Sequence, residues 1–147
     1  MKMSRIRSKA RFLAVQAIYQ WQMTKQDTNE IIDYLYSNTD KEKVDYDYFQ
    51  ILVKGVLTEF SMLDSYILPH IDRSIDSIDP VERAILRLGA YELIVRIEIP
   101  FKVVINEAIE MAKVFGAEQG HKFINGALDK LAKDLNSSKE PRVNEIG

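Results

Sequence analysis

An all-helical (all-α) fold is predicted for this chain of 147 residues on three observations. Apolar residues recur at spacings of three and four along nearly the whole length, the period of helices that bury one face. Proline, glycine and capping side chains stand where such helices would start and stop. No segment alternates with period two; Ile94 to Ile99 and Val103 to Ile105 resemble strands only in isolation, because each lies inside a longer helical period. With 46% apolar residues the chain can bury one continuous core.

Residues 5–23 place Ile6, Ala10, Leu13, Ala14, Ala17, Ile18 and Trp21 on the apolar stripe of a first helix. Its flank carries Arg5, Lys9, Phe12, Gln16, Tyr19 and Gln20 at the same spacing, so cations, amides and two aromatics share a face. Asp27 and Glu30, three apart as in a capping box, open a short second helix with Ile31, Ile32, Leu35 and Tyr36. The acidic stretch from Asp27 to Asp47 is read as solvated surface with a loop around Asn38 to Asp40. A longer helix is predicted from about Val44 to Phe60. It places Tyr48, Ile51, Leu52, Gly55 and Val56 on one side and Phe49, Val53 and Leu57 on another, which implies a central position. A further turn or two reaches Pro69, and a connector rich in Asp and Ser, 72–79, divides an N-terminal half (about 1–72) from a C-terminal half (about 79–136).

Asp79-Pro80-Val81-Glu82 is a strong helix start: Asp caps, Pro fits the first helical position, and Glu can reach back to the cap amide. Ala84, Ile85, Leu88, Tyr91 and Val95 form one stripe of the helix that follows, and Leu86, Ala90, Leu93 and Ile97 a second, with Glu92 and Arg96 read as an outward i,i+4 pair. Pro100 ends it. Val104, Ala108, Met111 and Phe115 then mark a helix stopped by Gly116. The last helix is expected from near Glu118 with Ile124, Ala127, Leu128, Leu131 and Leu135 inside, Gly126 allowing close helix packing, and a polar tail, 137–147, that frays.

Charge is distributed unevenly. The first eleven residues carry Lys2, Arg5, Arg7, Lys9 and Arg11 and no acid, whereas residues 12–147 hold 15 basic against 22 acidic side chains, net -7. Cations near a helix N-terminus oppose the macrodipole, so four of them in the first turns imply a ligand that compensates. A basic patch beside aromatics is an electrostatic footprint for phosphates. Tyr19, with its hydroxyl, is the candidate ring for stacking on an unpaired base, and Phe12 is expected to pack inside. His121, Lys122 and Phe123, in the first turns of the last helix, form a second RNA-binding candidate.

Other functions are disfavoured. The chain has no cysteine, which excludes disulfides, Cys-based zinc sites and thiol nucleophiles and agrees with a cytoplasmic location. No apolar run reaches the length of a membrane span. An Arg-rich, acid-free start also describes an organelle presequence, but the apolar stripe continues unbroken past any cleavage point. Glu118 and His121 have the spacing of a carboxylate-bridged metal bundle, yet the second pair such a site needs is missing, since Ile67 stands three before His70. Glu107 and Glu110 are read as an exposed polar face. Phosphate loops, dinucleotide fingerprints and nucleophile elbows are absent from the sequence. No catalytic residue, cofactor or metal is expected, and the reading is a small RNA-binding adapter.

Four blocks taken together resemble the NusB family of bacterial transcription antitermination factors: Ala10-Arg11 through Gln16-Ala17-Ile18-Tyr19-Gln20-Trp21; Glu82-Arg83-Ala84-Ile85-Leu86-Arg87; Ile99-Pro100 through Glu107-Ala108-Ile109-Glu110; and His121-Lys122-Phe123-Ile124-Asn125-Gly126-Ala127-Leu128-Asp129-Lys130. The resemblance implies two packed three-helix-bundle halves with about seven helices. It also implies binding of boxA RNA in nascent ribosomal RNA leaders, jointly with the ribosomal protein NusE, and an indirect link to other Nus factors and RNA polymerase. On that resemblance Arg5, Arg7, Lys9, Arg11, Tyr19, Lys122 and Phe123 face RNA and Glu82 faces NusE. Ser8 interrupts what can be a denser arginine run, and Gln119 stands where some members carry an acid. A purely protein-binding bundle, and the RNA-binding module of ribosomal RNA methyltransferases, are the alternative readings; a homodimer in the free state is left open.

Overall fold

The computed structural model describes residues 2–116 and 119–146, with side chains over 3–116 and 119–136. Six α-helices carry the fold: α1 (Lys2–Thr24), α2 (Thr28–Ser37), α3 (Tyr46–Ile67), α4 (Pro80–Ile94), α5 (Phe101–Val114) and α6 (His121–Ile146). Non-helical backbone at Glu59 divides α3 into two segments, which brings the helical segments to seven. The described residues contain no strand.

Helices α1, α2 and α3 pack on one another, as do α4, α5 and α6, and α4 joins the two groups by lying against both α1 and α3. That central place explains its two apolar stripes: every residue from Ala84 to Leu93 is buried. The core is one continuous cluster running from Ala10 through Phe49, Leu52, Ile85 and Met111 to Leu131.

Helix boundaries follow local chemistry. Asp27 accepts from the Glu30 amide to cap α2, Asp45 caps α3 through the Tyr48 amide, and Asp79 takes the Val81 and Glu82 amides at α4. The reciprocal bond expected from Glu82 does not form; its carboxylate lies over Gly120, where an added Cβ would stand 2.4 Å from it. Gly116 ends α5 at a φ of +81°, a conformation costly for any residue with a Cβ.

Three expectations are corrected. Helix α4 stops at Ile94 rather than continuing toward Pro100, leaving Ile97 64% exposed, because the chain must turn to return Ile99 to the core. Helix α6 begins at His121, after the Gly120 that packs under Glu82; Glu118 lies outside the described residues. Gly126 meets nothing within 4 Å, so it is no packing glycine. That role falls to Gly89, where a Cβ would stand 2.8 Å from Leu128, and to Gly55, pressed on the Tyr91 ring.

Candidate nucleic-acid interface

Helical geometry sorts the basic leader into two faces. Residues two apart point about 200° apart around a helix, whereas residues four apart share a side. Arg5 and Lys9 are exposed and line one cleft of about 490 Å³ with Phe12, Gln16 and Thr39. One turn further, Gln16 also borders a second cleft, about 460 Å³, lined by Tyr19, Met23, Val81 and Phe115. Tyr19 is 39% exposed there, while Phe12 tilts against Phe115 with ring centroids 5.7 Å apart. The outer side of α1 is thus a strip: two exposed cations, an amide, then an exposed ring.

Arg7 and Arg11 take the opposite course. The Arg7 guanidinium lies 4.3 Å from the centroid of the Tyr48 ring and 4.0 Å from Asp45. Arg11 is 3% exposed, so its expected role as an RNA contact is corrected: its Nε donates to both Glu92 oxygens at 3.0 Å and its Nη1 to Glu107 at 2.8 Å. The Tyr48 hydroxyl donates to Glu92 and the Ser8 hydroxyl to Glu107. Glu92 is therefore buried and bonded to α1 and α3, not paired outward with Arg96, which pairs instead with Glu98 at 2.9 Å. Glu107, likewise, belongs to this network rather than to an exposed polar face. Burial works against the Arg11 cation, but Glu92, Tyr48 and Glu107 outweigh it and lift its pKa further above the ordinary value. Burial, and the adjoining Glu92 carboxylate, push the Tyr48 phenol well up.

The remaining candidates lie at the start of α4 and in the first turn of α6. Val81, at the edge of the Tyr19 cleft, precedes Glu82, which covers Gly120 immediately before His121. Burial pushes the Glu82 carboxyl up, Asp79 adds to that, and Arg73 draws it back. Beyond it, Lys122 is exposed and Phe123 half-buried, with the Arg73 guanidinium 4.3 Å above its ring. His121 is half-buried, and the side chain of Lys2 lies outside the described ones. Sequence reasoning missed Arg73 and Lys130, which join Lys122 and Phe123 around a cleft of about 380 Å³. The spacing of Lys122, Gly126 and Lys130, four apart on one helix, was the available signal for Lys130; none pointed to Arg73.

Among the described residues no group of three or more His, Asp or Glu side chains is placed to hold a metal, and no helix is long and apolar enough to cross a membrane. An all-helical body with a basic and aromatic strip along its first helix has the form of a nucleic-acid-binding adapter. The chain matches the model of the NusB family over residues 8–133, and it belongs to that family. It is 53% identical over 125 residues to the transcription antitermination protein NusB of Shewanella oneidensis, covering 85% of this chain and 93% of the relative. To the corresponding protein of Nitrosococcus oceani it is 50% identical over 137 residues, covering 93% and 92%. Among solved structures it is similar to antitermination factors NusB and NusE in complex with double-stranded RNA, with a TM-score of 0.79, 28% identity, and coverage of 88% of this chain and 98% of the other. The family is one of transcription antitermination factors and not of enzymes.

Proposed function

We propose that this protein binds boxA-type single-stranded RNA in ribosomal RNA leader transcripts together with NusE, and through that assembly acts on elongating RNA polymerase in the cytoplasm to suppress premature termination. The observation that carries the reading is the Arg5, Lys9 and Tyr19 strip on one side of α1. Phosphates meet the two cations, and an unpaired base stacks on the exposed ring, a contact worth about 1–3 kcal/mol. A duplex offers Tyr19 no free base face. The similar solved complex contains double-stranded RNA, so strandedness is the point to test.

Two phosphate contacts give weak binding, with a log-log salt slope of only about -1.4 on a single strand. A partner bound beside the strip raises affinity by supplying its own contacts at high effective concentration. Glu82, with Asp76 and Asp79 exposed nearby, offers a basic partner an acidic surface next to the Tyr19 cleft. Gel-shift titration with a boxA-like single strand and its duplex, with and without NusE, tests the reading. Tighter binding of the single strand, strengthened by NusE, is expected. Equal binding of both forms, or indifference to NusE, would overturn it. Glu82→Lys should weaken NusE binding while leaving RNA contact by the isolated protein intact.

A further inference from the structure

Ser8 breaks the run of cations at the start of α1, and its place in the fold gives that break a use. Arg5 and Arg7 stand three and one residues before it, Lys9 and Arg11 one and three after, so a single hydroxyl is centred on four cations. It sits on the border between the two faces of the helix. Its Oγ donates to Glu107, the carboxylate that also takes Arg11, while the side chain lines the cleft of about 490 Å³ shared by Arg5, Lys9 and Thr39. Ser8 is half-buried, and α1 has no acid in its first turn to offset the cations that oppose its dipole. Helix ends of that kind open most readily, which exposes the serine to an enzyme.

We propose that Ser8 is a phosphorylation site for a kinase that selects serine by the arginines preceding it, and that phosphate there releases RNA from the α1 strip. The inference rests on the RNA-binding reading above and adds its regulation. Kinases choose substrates by such charge patterns. In the transfer the Ser8 oxygen bonds to the γ-phosphorus of a nucleoside triphosphate, and the bond from that phosphorus to the β,γ-bridging oxygen breaks. The hydroxyl proton passes to the kinase's base, and nucleoside diphosphate leaves. The product carries about -1.5 to -2 charges at pH 7. It no longer offers Glu107 a hydroxyl and is repelled by that carboxylate, so it turns into the cleft toward Lys9 and toward Arg5, one helical turn back. Both strip cations are then answered from within the chain, and RNA loses its two phosphate contacts.

The test treats full-length protein with ATP and an arginine-directed serine kinase and maps the phosphate by tandem mass spectrometry. Modified and unmodified protein are then titrated with a boxA-like single strand over a range of salt. Phosphate on Ser8, RNA affinity lower by about tenfold or more, and a log-log salt slope shallower by about 1.4 are expected. Bound RNA should slow the phosphorylation in return, because two events that exclude each other do so reciprocally. Ser8→Ala should take up no phosphate and keep the same RNA affinity before and after treatment. Phosphate that goes to Ser4 or nowhere, or a Ser8 phosphoprotein with unchanged affinity and slope, would overturn the inference and leave the α1 strip standing. So would a phosphoprotein that loses its helical circular dichroism signal, since unfolding would then explain the lost affinity. If unmodified protein does not bind the strand, the RNA reading falls first and takes this inference with it.

Discussion

Replacing Arg11 by Met should destabilise the protein's core rather than strip an RNA contact. Arg11 satisfies both oxygens of Glu92 at 3.0 Å, and Glu92 is 1% exposed. Without the guanidinium that carboxylate keeps only the Tyr48 hydroxyl and has no access to water. Glu107, with 18% of its side chain exposed, can recover solvent, so the loss concentrates on Glu92. Removing one member of a buried pair costs about 3–5 kcal/mol. At about 2.1 cal/mol/K of unfolding entropy per residue, a chain of 147 residues gives about 0.3 kcal/mol/K, so Tm should fall roughly 10–15 °C. Circular dichroism melts measure that drop. Adding Glu92→Gln, which removes the stranded charge, should restore more than half of it. Below the variant's melting range, RNA affinity and its salt slope should match wild type. A loss under about 1 kcal/mol together with a flattened salt slope would refute this reasoning and return Arg11 to the RNA surface.

Other outcomes follow from the same structure. Tyr48 has a folded pKa above the ordinary 10, so its contribution to stability is fully present below pH 10 and is lost as pH rises through the folded value. Tyr48→Phe should therefore lower stability at neutral pH, through loss of the bond to Glu92, and flatten the decline above pH 10, read by urea melts at a series of pH values. Gly55→Ala would set a Cβ 2.3 Å from the Tyr91 ring and should cost about 1–3 kcal/mol in urea melts. Gly126→Ala, in open space on a helix, should instead gain up to about 1 kcal/mol. Burial and Asp79 raise the Glu82 carboxyl, so its share of stability is present below the ordinary value of 4.5 and lost as pH rises through the raised one; Glu82→Gln should make the melting temperature less sensitive to pH across that window.

The helices were legible because each carries its own signals. Period and caps act within a few residues, so α2, α4 and α5 begin where Asp27, Asp79 and Pro100 set them. Facts created by tertiary contact were hidden. Arg11 meets Glu92 and Glu107 across 81 and 96 positions, and nothing local to Arg11 names those partners. Counting charges merged what helical geometry separates, since residues 5 and 9 share a side that residues 7 and 11 do not. The outward pairing of Glu92 with Arg96 failed for the same reason: spacing allowed it, but Arg11 and Tyr48 offered the carboxylate better partners inside. Gly126 misled because a glycine in a helical period signals either close packing or empty space, and only the neighbouring segment decides which.

The most direct measurement compares the salt dependence of single-strand RNA binding for two double variants, Arg5→Ala with Lys9→Ala and Arg7→Ala with Arg11→Met, each at a temperature where it remains folded. Losing two phosphate contacts should make the log-log slope shallower by about 1.4 for the first pair, while the second pair leaves it at the wild-type value. The opposite result, a slope that depends on Arg7 and Arg11 and ignores Arg5 and Lys9, would contradict an RNA strip on the outer side of α1.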